Sequence, residues 1–558
     1  MGGDKRIVAS GWETTFRILE RSENEAADRV LISALDCGDP AVQARALRAL
    51  LERGSASGQR EVLRRWPSLD PNWKAVIAER PGRVFSAVRD ALLSSDAALR
   101  IHGCDAALHL GAYELVPVLI AAAEDKTNLQ ADLAAGALLS LSERLYEEVC
   151  KPRDYRKRRD PKAVREHVVA ALEASVQRFE QHRRGEIVEA FLLLASRDNS
   201  LLKRLLRDPH DKAYLTAVNL LTHSSRPGVW RLLVRSLKDA DAPSAILGVL
   251  ARRRDLPFLR YFLGNISTPF PPAVKLNLKR IEWFTWLRDD LSLLSRLEEA
   301  EQRVALQMAL ASGMNRLDVF QVVEYLFRHG KSGSRRDAGA ALVHFRGAEV
   351  NHLLLEGVRS GDAAIQAAVA GQLRSRGIPN ALALLVELID SPHEAVRQAA
   401  RESLSEFRLA RFLETYDMLD EETRARTGQL VKRVDPDAVA GLAEQLRSTS
   451  RTRRVRGVAM AVAMGAVQEL EDELAALLTA EDQYVRAEVL RLLAPCDSPK
   501  IRDAVRELLR SESAVVQKAA EEILQSCGEA ASPGALTKPV PAPLAPHPAD
   551  PTPLSTEN

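Results

Sequence analysis

An all-α solenoid of stacked αα-hairpins, ending in a disordered C-terminal tail, is the fold class that this sequence predicts. Three observations predict it. A helical phrase returns with a nearly fixed period: its small or apolar middle position is held by Gly339, Val369, Ala400, Gly428, Ala459, Val489 and Ala520, at steps of 30, 31, 28, 31, 30 and 31 residues. Such self-similarity marks units that cannot bury their apolar faces alone and must stack on one another. Within a phrase, apolar residues fall at i, i+4 and i+8, as in Val396, Ala400 and Leu404, which is one stripe of a helix. Finally, Ala, Leu, Arg and Glu dominate while aromatics are only 5% of the chain, a composition that favours helix over strand.

The bulk numbers agree with that class. The chain has 558 residues, whereas single cores stop growing near roughly 250–300; a solenoid escapes this limit because its contacts stay between neighbours. Net charge is +2, from 78 basic and 76 acidic side chains. A global field for polyanions is therefore excluded, and nucleic-acid binding would have to rest on local clusters. Cys37, Cys104, Cys150, Cys496 and Cys527 form no CxxC pair and read as free thiols in a reducing compartment. The opening ten residues lack the apolar core of a signal peptide, and Arg6 stands where myristoylation prefers Ser or Thr. The longest uncharged apolar run, Gly457 to Val467, spans roughly 16 Å as a helix against a hydrocarbon core of about 30 Å. It is expected to be a helix buried on all sides, and the protein is expected to be cytoplasmic.

Along the chain, residues 1–145 read as N-terminal repeats, with Ala46, Ile77, Gly103 and Ala135 in the middle position. Asp39-Pro40 and Asp70-Pro71 have the form of a capping residue followed by a first-turn proline. Residues 146–165 form a basic insertion loop: Lys151, Arg153, Arg156, Lys157, Arg158, Arg159 and Lys162 stand against Asp154 and Asp160, with Tyr155 among them. Such a loop grips phosphates or an acidic surface, or is a solvated connection whose charge Glu147 and Glu148 partly offset.

Residues 166–331 are divergent repeats, phased through Val188, Val218, Val249, Leu278 and Met308. They contain an aromatic-rich region at 258–286 with Phe258, Tyr261, Phe262, Phe270, Trp283, Phe284 and Trp286. Trp283 and Trp286, at i and i+3, are expected on one helix face, either anchoring a partner or repairing the stacking between repeats. Arg252-Arg253-Arg254 and the cluster Arg451, Arg453, Arg454 and Arg456 are expected to be solvated caps at helix ends. Residues 332–527 are the regular repeats. The tail, 528–558, crowds Pro533, Pro539, Pro541, Pro543, Pro546, Pro548, Pro551 and Pro553 and is expected to be disordered and partly polyproline II.

The phrase Asp-x-x-Val-Arg-x-x-Ala-x-x-x-Leu is met at Asp482–Leu493, with Val489 in the Ala position, and at His393–Leu404, with His393 in the Asp position. It resembles the HEAT repeat, in the short bacterial form called PBS-lyase HEAT-like. The likeness is strongest over residues 332–527 and weaker, though phased, over 30–330. It implies an armadillo-like right-handed superhelix whose second helices line the concave face. It also implies a ladder of hydrogen bonds along the stack, with Asp96 and Arg100, and Asp482 and Arg486, as ladder residues.

Some proteins with this repeat are hydroxylases that hold two irons with a His-Glu dyad in each repeat, because iron needs several imidazoles and carboxylates together. Here only His393-Glu394 forms such a dyad, and His102, His109, His344 and His352 do not recur at matching positions. Bilin lyases and an alkylated-base glycosylase share the repeat, but fold analogy alone says little about activity. No GxxxxGK[ST], GxGxxG or GxSxG is present. The reading is a non-catalytic scaffold or adaptor that binds one or more proteins and takes no cofactor or metal. Phe270, Trp283 and Trp286 are the first candidate anchors, and Arg156, Lys157, Arg158 and Arg159 the second. Nucleic-acid binding through local basic clusters is the alternative; a lyase-type or hydroxylase-type enzyme lacks its motifs.

Overall fold

The computed structural model describes residues 4–152, 160–479, 482–494, 498–511 and 513–530. Among the described residues stand thirty-five α-helices and seven short 3-10 turns, with no strand. The chain is an all-α solenoid of paired helices and divides into two compact units, Met1–Ala341 and Leu342–Asn558. The expected tail, 528–558, lies outside the described residues apart from the end of the Ala514–Ala530 helix.

In the first unit, helix Ala26–Leu35 packs on Pro40–Arg53, Phe85–Leu92 on Ala97–Leu110, and Val116–Glu124 on Ala131–Cys150. Second helices also touch in succession: Ala97–Leu110 lies on Ala131–Cys150, which lies on Gly185–Leu194. Helix starts are fixed locally. The carboxylates of Asp39, Asp70, Asp96 and Asp160 accept the backbone N–H two residues on, at 2.8, 2.7, 2.9 and 3.0 Å. Each such cap contributes about 1 kcal/mol.

In the second unit, Ala363–Leu373 packs on Glu394–Ser403, and Glu421–Val434 on Arg451–Met464. The latter meets Gln483–Leu493, which meets Ala514–Ala530. One apolar cluster joins these hairpins from Leu409 through Val431, Val458, Leu474 and Val489 to Ala520. The small middle position has a steric cause at Gly428, where a Cβ would stand 2.6 Å from the carbonyl oxygen of Ala463. The run from Gly457 to Val467 is not buried on all sides. Its helix ends at Met464, before Gly465 in the left-handed region, and Ala459, Val462 and Ala463 are only partly buried. The helix packs on Glu421–Val434, Ala438–Leu446 and Gln483–Leu493, and its remaining side stays within reach of solvent.

The polar half of the repeat closes each hairpin. Four residues after the start of a second helix, a Gln or Arg folds back to the last carbonyls of the first helix or turn. Gln43 donates to Leu35 O at 3.1 Å, Gln302 to Leu294 O at 2.9 Å, and Arg335 to Phe327 O at 2.9 Å. Gln366 donates to Val358 O at 3.0 Å and Arg424 to Tyr416 O at 2.9 Å. Carbonyls at helix ends have no intrahelical donor, so these bonds satisfy groups that burial would otherwise strand. The ladder implied by the repeat is thus mainly internal to a hairpin. Arg100 does reach the following repeat, donating to Gln130 Oε1 at 2.8 Å, as well as back to Ser94 O at 2.6 Å. Asp482 caps its own helix through Tyr484 N and Val485 N, whereas the Arg486 Nε has no hydrogen-bond partner among the described residues.

Candidate functional site

The aromatic region is mostly core. Phe258 and Phe262, one turn apart on helix Leu256–Gly264, are fully buried and stack at 5.5 Å between centroids. Trp230 meets Phe258 edge-on at 6.1 Å, and its indole N–H donates to Ser224 O at 2.9 Å. Phe284 and Trp286 form a second pair at 6.2 Å, both buried, and Phe270 is buried as well. Two of the three expected aromatic anchors, Phe270 and Trp286, therefore lie inside the hairpin stack and do not face a partner. Trp283 is 42% exposed. The shared helix face does not form, because the helix begins only at Thr285 and Trp283 stands in the extended segment before it.

Arg253 also departs from expectation. In place of a solvated cap, its guanidinium is buried, donating to Leu221 O at 2.9 Å and Ser224 O at 3.0 Å while pairing with Asp255 at 2.9 Å. Arg252 and Arg254 on either side are exposed, as expected. In the other cluster Arg451 covers the Tyr484 ring at 5.2 Å, and Arg456 pairs with Asp417 at 3.0 Å. Of the basic insertion, Arg156, Lys157, Arg158 and Arg159 lie outside the described residues; its flanks are helical up to Cys150 and from Pro161.

A serine, a histidine and a carboxylate do meet in the first unit. The Ser175 hydroxyl donates to Glu124, and His182 Nε2 lies 3.1 Å from Ser175 O. The Arg184 N–H donates to His182 Nδ1 at 3.0 Å, which assigns the proton to Nε2 and leaves the ring no lone pair for the serine proton. With Ser175 and His182 both buried, this is a polar knot at a helix end and not a nucleophile with its base. His393 stands at a helix start without a capping bond, and Glu394 pairs with Arg397. Among the described residues no group of three His, Cys, Asp or Glu side chains is placed to hold a metal, and no helix is long and apolar enough to cross a membrane.

One arginine-lined site escaped the sequence reading. Helices Ala131–Cys150, Pro161–Val176 and Pro227–Ser236, with the turn after Gly185–Leu194, enclose a narrow cleft of about 30 Å³. Tyr146, Arg165, Arg197, Arg231 and Arg235 line it, and among the described residues no carboxylate does. The helices meet closely because of Gly228, where a Cβ would fall 3.0 Å from Leu193 O and 3.1 Å from Tyr146 Cδ2. Arg231 donates to the Cys150 thiol at 2.9 Å and lies 5.4 Å from the Tyr146 ring centroid. Burial, reinforced by Cys150, pushes the Tyr146 phenol up to about 12, so it stays neutral at physiological pH. Arg197 is balanced by Asp239 at 3.1 Å and Asp198 at 3.8 Å. Nothing short-range announces this grouping, since Arg165 and the Arg231–Arg235 pair come from helices distant in sequence.

A family model described as HEAT repeats matches residues 321–405 and 470–538, so the chain carries HEAT repeats over those stretches. No curated protein matches the sequence. Among solved structures, one from work on the interaction between cadherin and beta-catenin is 13% identical, covering 90% of this chain and 99% of the other, with a TM-score of 0.34. UNC-45 from Drosophila melanogaster is 13% identical, covering 92% of this chain and 81% of its own, with a TM-score of 0.25. The karyopherin Kap121p bound to the SUMO protease Ulp1p is 11% identical, covering 93% and 72%, with a TM-score of 0.24. Likenesses this slight carry no functional weight.

Proposed function

We propose that the protein is a non-catalytic, cytoplasmic scaffold or adaptor that binds one or more proteins along its rows of hairpins, with repeats of the PBS-lyase HEAT-like type. The observation that supports this reading is the set of large apolar side chains left on the surface of both units. Leu129 is 89% exposed, Leu215 76% and Met418 86%, and they are joined by Trp283 and Tyr484. Side chains of this kind serve as anchors when a partner covers them, because affinity concentrates in a few well-packed contacts. The repeat's own polar groups are turned inward to cap its helices, which leaves the outer turns free to vary.

The test uses the full chain as bait in extract from its native cell, with wild type and Trp283→Ala compared by quantitative mass spectrometry. The same specific proteins should be captured by wild type and depleted with Trp283→Ala, at unchanged helicity. Equal capture by both would remove Trp283 as an anchor; no specific capture at all would remove the scaffold reading. The alternative, nucleic acid gripped by Arg156, Lys157, Arg158 and Arg159, requires retention on heparin that collapses with rising salt and flattens when all four become Ala.

A further inference from the structure

We propose that the cleft between Arg165, Arg231 and Arg235 is a receptor for a single phosphate monoester, carried by a phosphorylated side chain of a protein partner. The identity of the carrier rests on the protein-binding reading above; the phosphate site itself does not. Arg165 has a buried Nε without a hydrogen-bond partner among the described residues, and neither Arg165 nor Arg235 forms an ion pair there. Arg231 is held in place by the Cys150 sulfur at 2.9 Å and by the Tyr146 ring, and it forms no ion pair with a carboxylate among the described residues. Three arginines thus line one small space, with no carboxylate in its lining among the described residues.

That is more positive charge than one carboxylate would balance. A phosphate monoester brings a charge of about −1.5 to −2 and three acceptor oxygens at neutral pH, and guanidinium forks match such oxygens in pairs. Tyr146, kept neutral by its raised pKa, supplies a phenol beside them.

Size and surroundings favour one group on a protein over a nucleic-acid strand. The enclosed part of the cleft, about 30 Å³, is far too small for a base, so a ligand must present a small polar group at its mouth. On the Arg197 side, Asp198 and Asp239 interrupt the basic lining. The Tyr146 face that would stack a base is covered by Arg231.

Titration calorimetry on the full chain at constant ionic strength tests this, with inorganic phosphate, O-phospho-L-serine, glutamate and a short oligothymidylate as probes. Phosphate and phosphoserine should bind, and glutamate should bind about tenfold more weakly or worse. Arg165→Ala with Arg235→Ala should weaken phosphoserine by about tenfold or more, while Arg254→Ala leaves it unchanged. Neither side chain makes a hydrogen bond or ion pair among the described residues, and the Lys versions of the same pair, which keep charge but lose the fork, should fall between; unchanged helicity separates loss of binding from loss of fold. Equal binding by wild type and the double Ala variant would overturn the site, as would glutamate matching phosphoserine. Oligothymidylate binding more tightly than phosphoserine through the same residues would overturn the protein source. Intact phosphoserine binding without any captured partner would count against the scaffold reading alone.

Discussion

The guanidinium carbon of Arg253 lies 4.2 Å from the ring centroid of Phe258. The same group bonds two backbone carbonyls at the end of the Tyr214–His223 helix and the Asp255 carboxylate. It therefore joins two successive hairpins, with its charge compensated on one side and its flat face against the ring.

Arg253→Ala should destabilise this part of the first unit by about 3 kcal/mol or more, because it strands carbonyls and uncovers a buried ring. Arg253→Lys should recover little, since an ammonium cannot fork between Ser224, Leu221 and Asp255 while stacking. Arg254→Ala, one residue on and exposed, should stay within about 0.5 kcal/mol. Hydrogen exchange over residues 214–264 is the local readout, as long repeat arrays do not unfold in one step. Unchanged protection in Arg253→Ala would refute the keystone role.

How much of this was legible in sequence follows from the range of the interactions. The thirty-residue step and the capping aspartates are local, and they set the hairpin architecture directly. Arg253 was misplaced because three arginines at a helix end look solvated; the cue was Asp255 and Phe258 following, a carboxylate and a ring at reach of one guanidinium. Trp286 and Phe270 read as partner anchors in sequence but are buried: a crowd of aromatics fits a core and a binding patch alike until neighbouring helices are placed. The Arg165 cleft depends on three helices meeting and has no sequence signature at all.

The N-terminal hairpins hold a buried ion pair, Arg53 with Asp28 at 2.7 Å, whose side chains are 7% and 5% exposed. Burial alone would raise the Asp28 pKa, but bonds from Ser57, Ser55 and Arg53 outweigh it and the net shift is downward. A carboxylate whose folded pKa is depressed contributes stability above its unfolded value of about 3.9, and that contribution is lost as pH falls through the folded value. Asp28→Asn should cost about 3 kcal/mol at neutral pH by leaving Arg53 buried without its counter-ion. The variant should also lose less stability than wild type between neutral pH and strong acid. Exchange protection of residues 26–53 across a pH series checks both, and parallel acid profiles would defeat the assignment.

Close approach of helices should separate two glycines of the second unit. Gly428→Ala drives a Cβ to 2.6 Å from Ala463 O, a backbone atom that cannot swing away, and should destabilise by about 1–3 kcal/mol. Gly371 lies in a helix with nothing within 4 Å of an added Cβ. Gly371→Ala should therefore stabilise by up to about 1 kcal/mol through helix propensity. Thermal unfolding of the two variants should shift in opposite directions; a shift of the same sign would show that the sequence column does not mark helix contact.

Thiol chemistry offers a check on the packing of the first unit. Cys104 is 3% exposed and burial pushes its pKa up to about 11, whereas Cys37 and Cys150 are exposed. The nucleophile in alkylation is the thiolate, so Cys104 is protected twice, by access and by protonation. Iodoacetamide at pH 8 should modify Cys37 and Cys150 in the native chain and reach Cys104 only after denaturant is added, as read by peptide mass spectrometry. Raising the pH to 9.5 should still leave Cys104 unmodified, because its thiol is still mostly protonated and still covered by neighbouring hairpins. Native labelling of Cys104 at the rate of Cys37 would mean that helix Ala97–Leu110 is not packed as described.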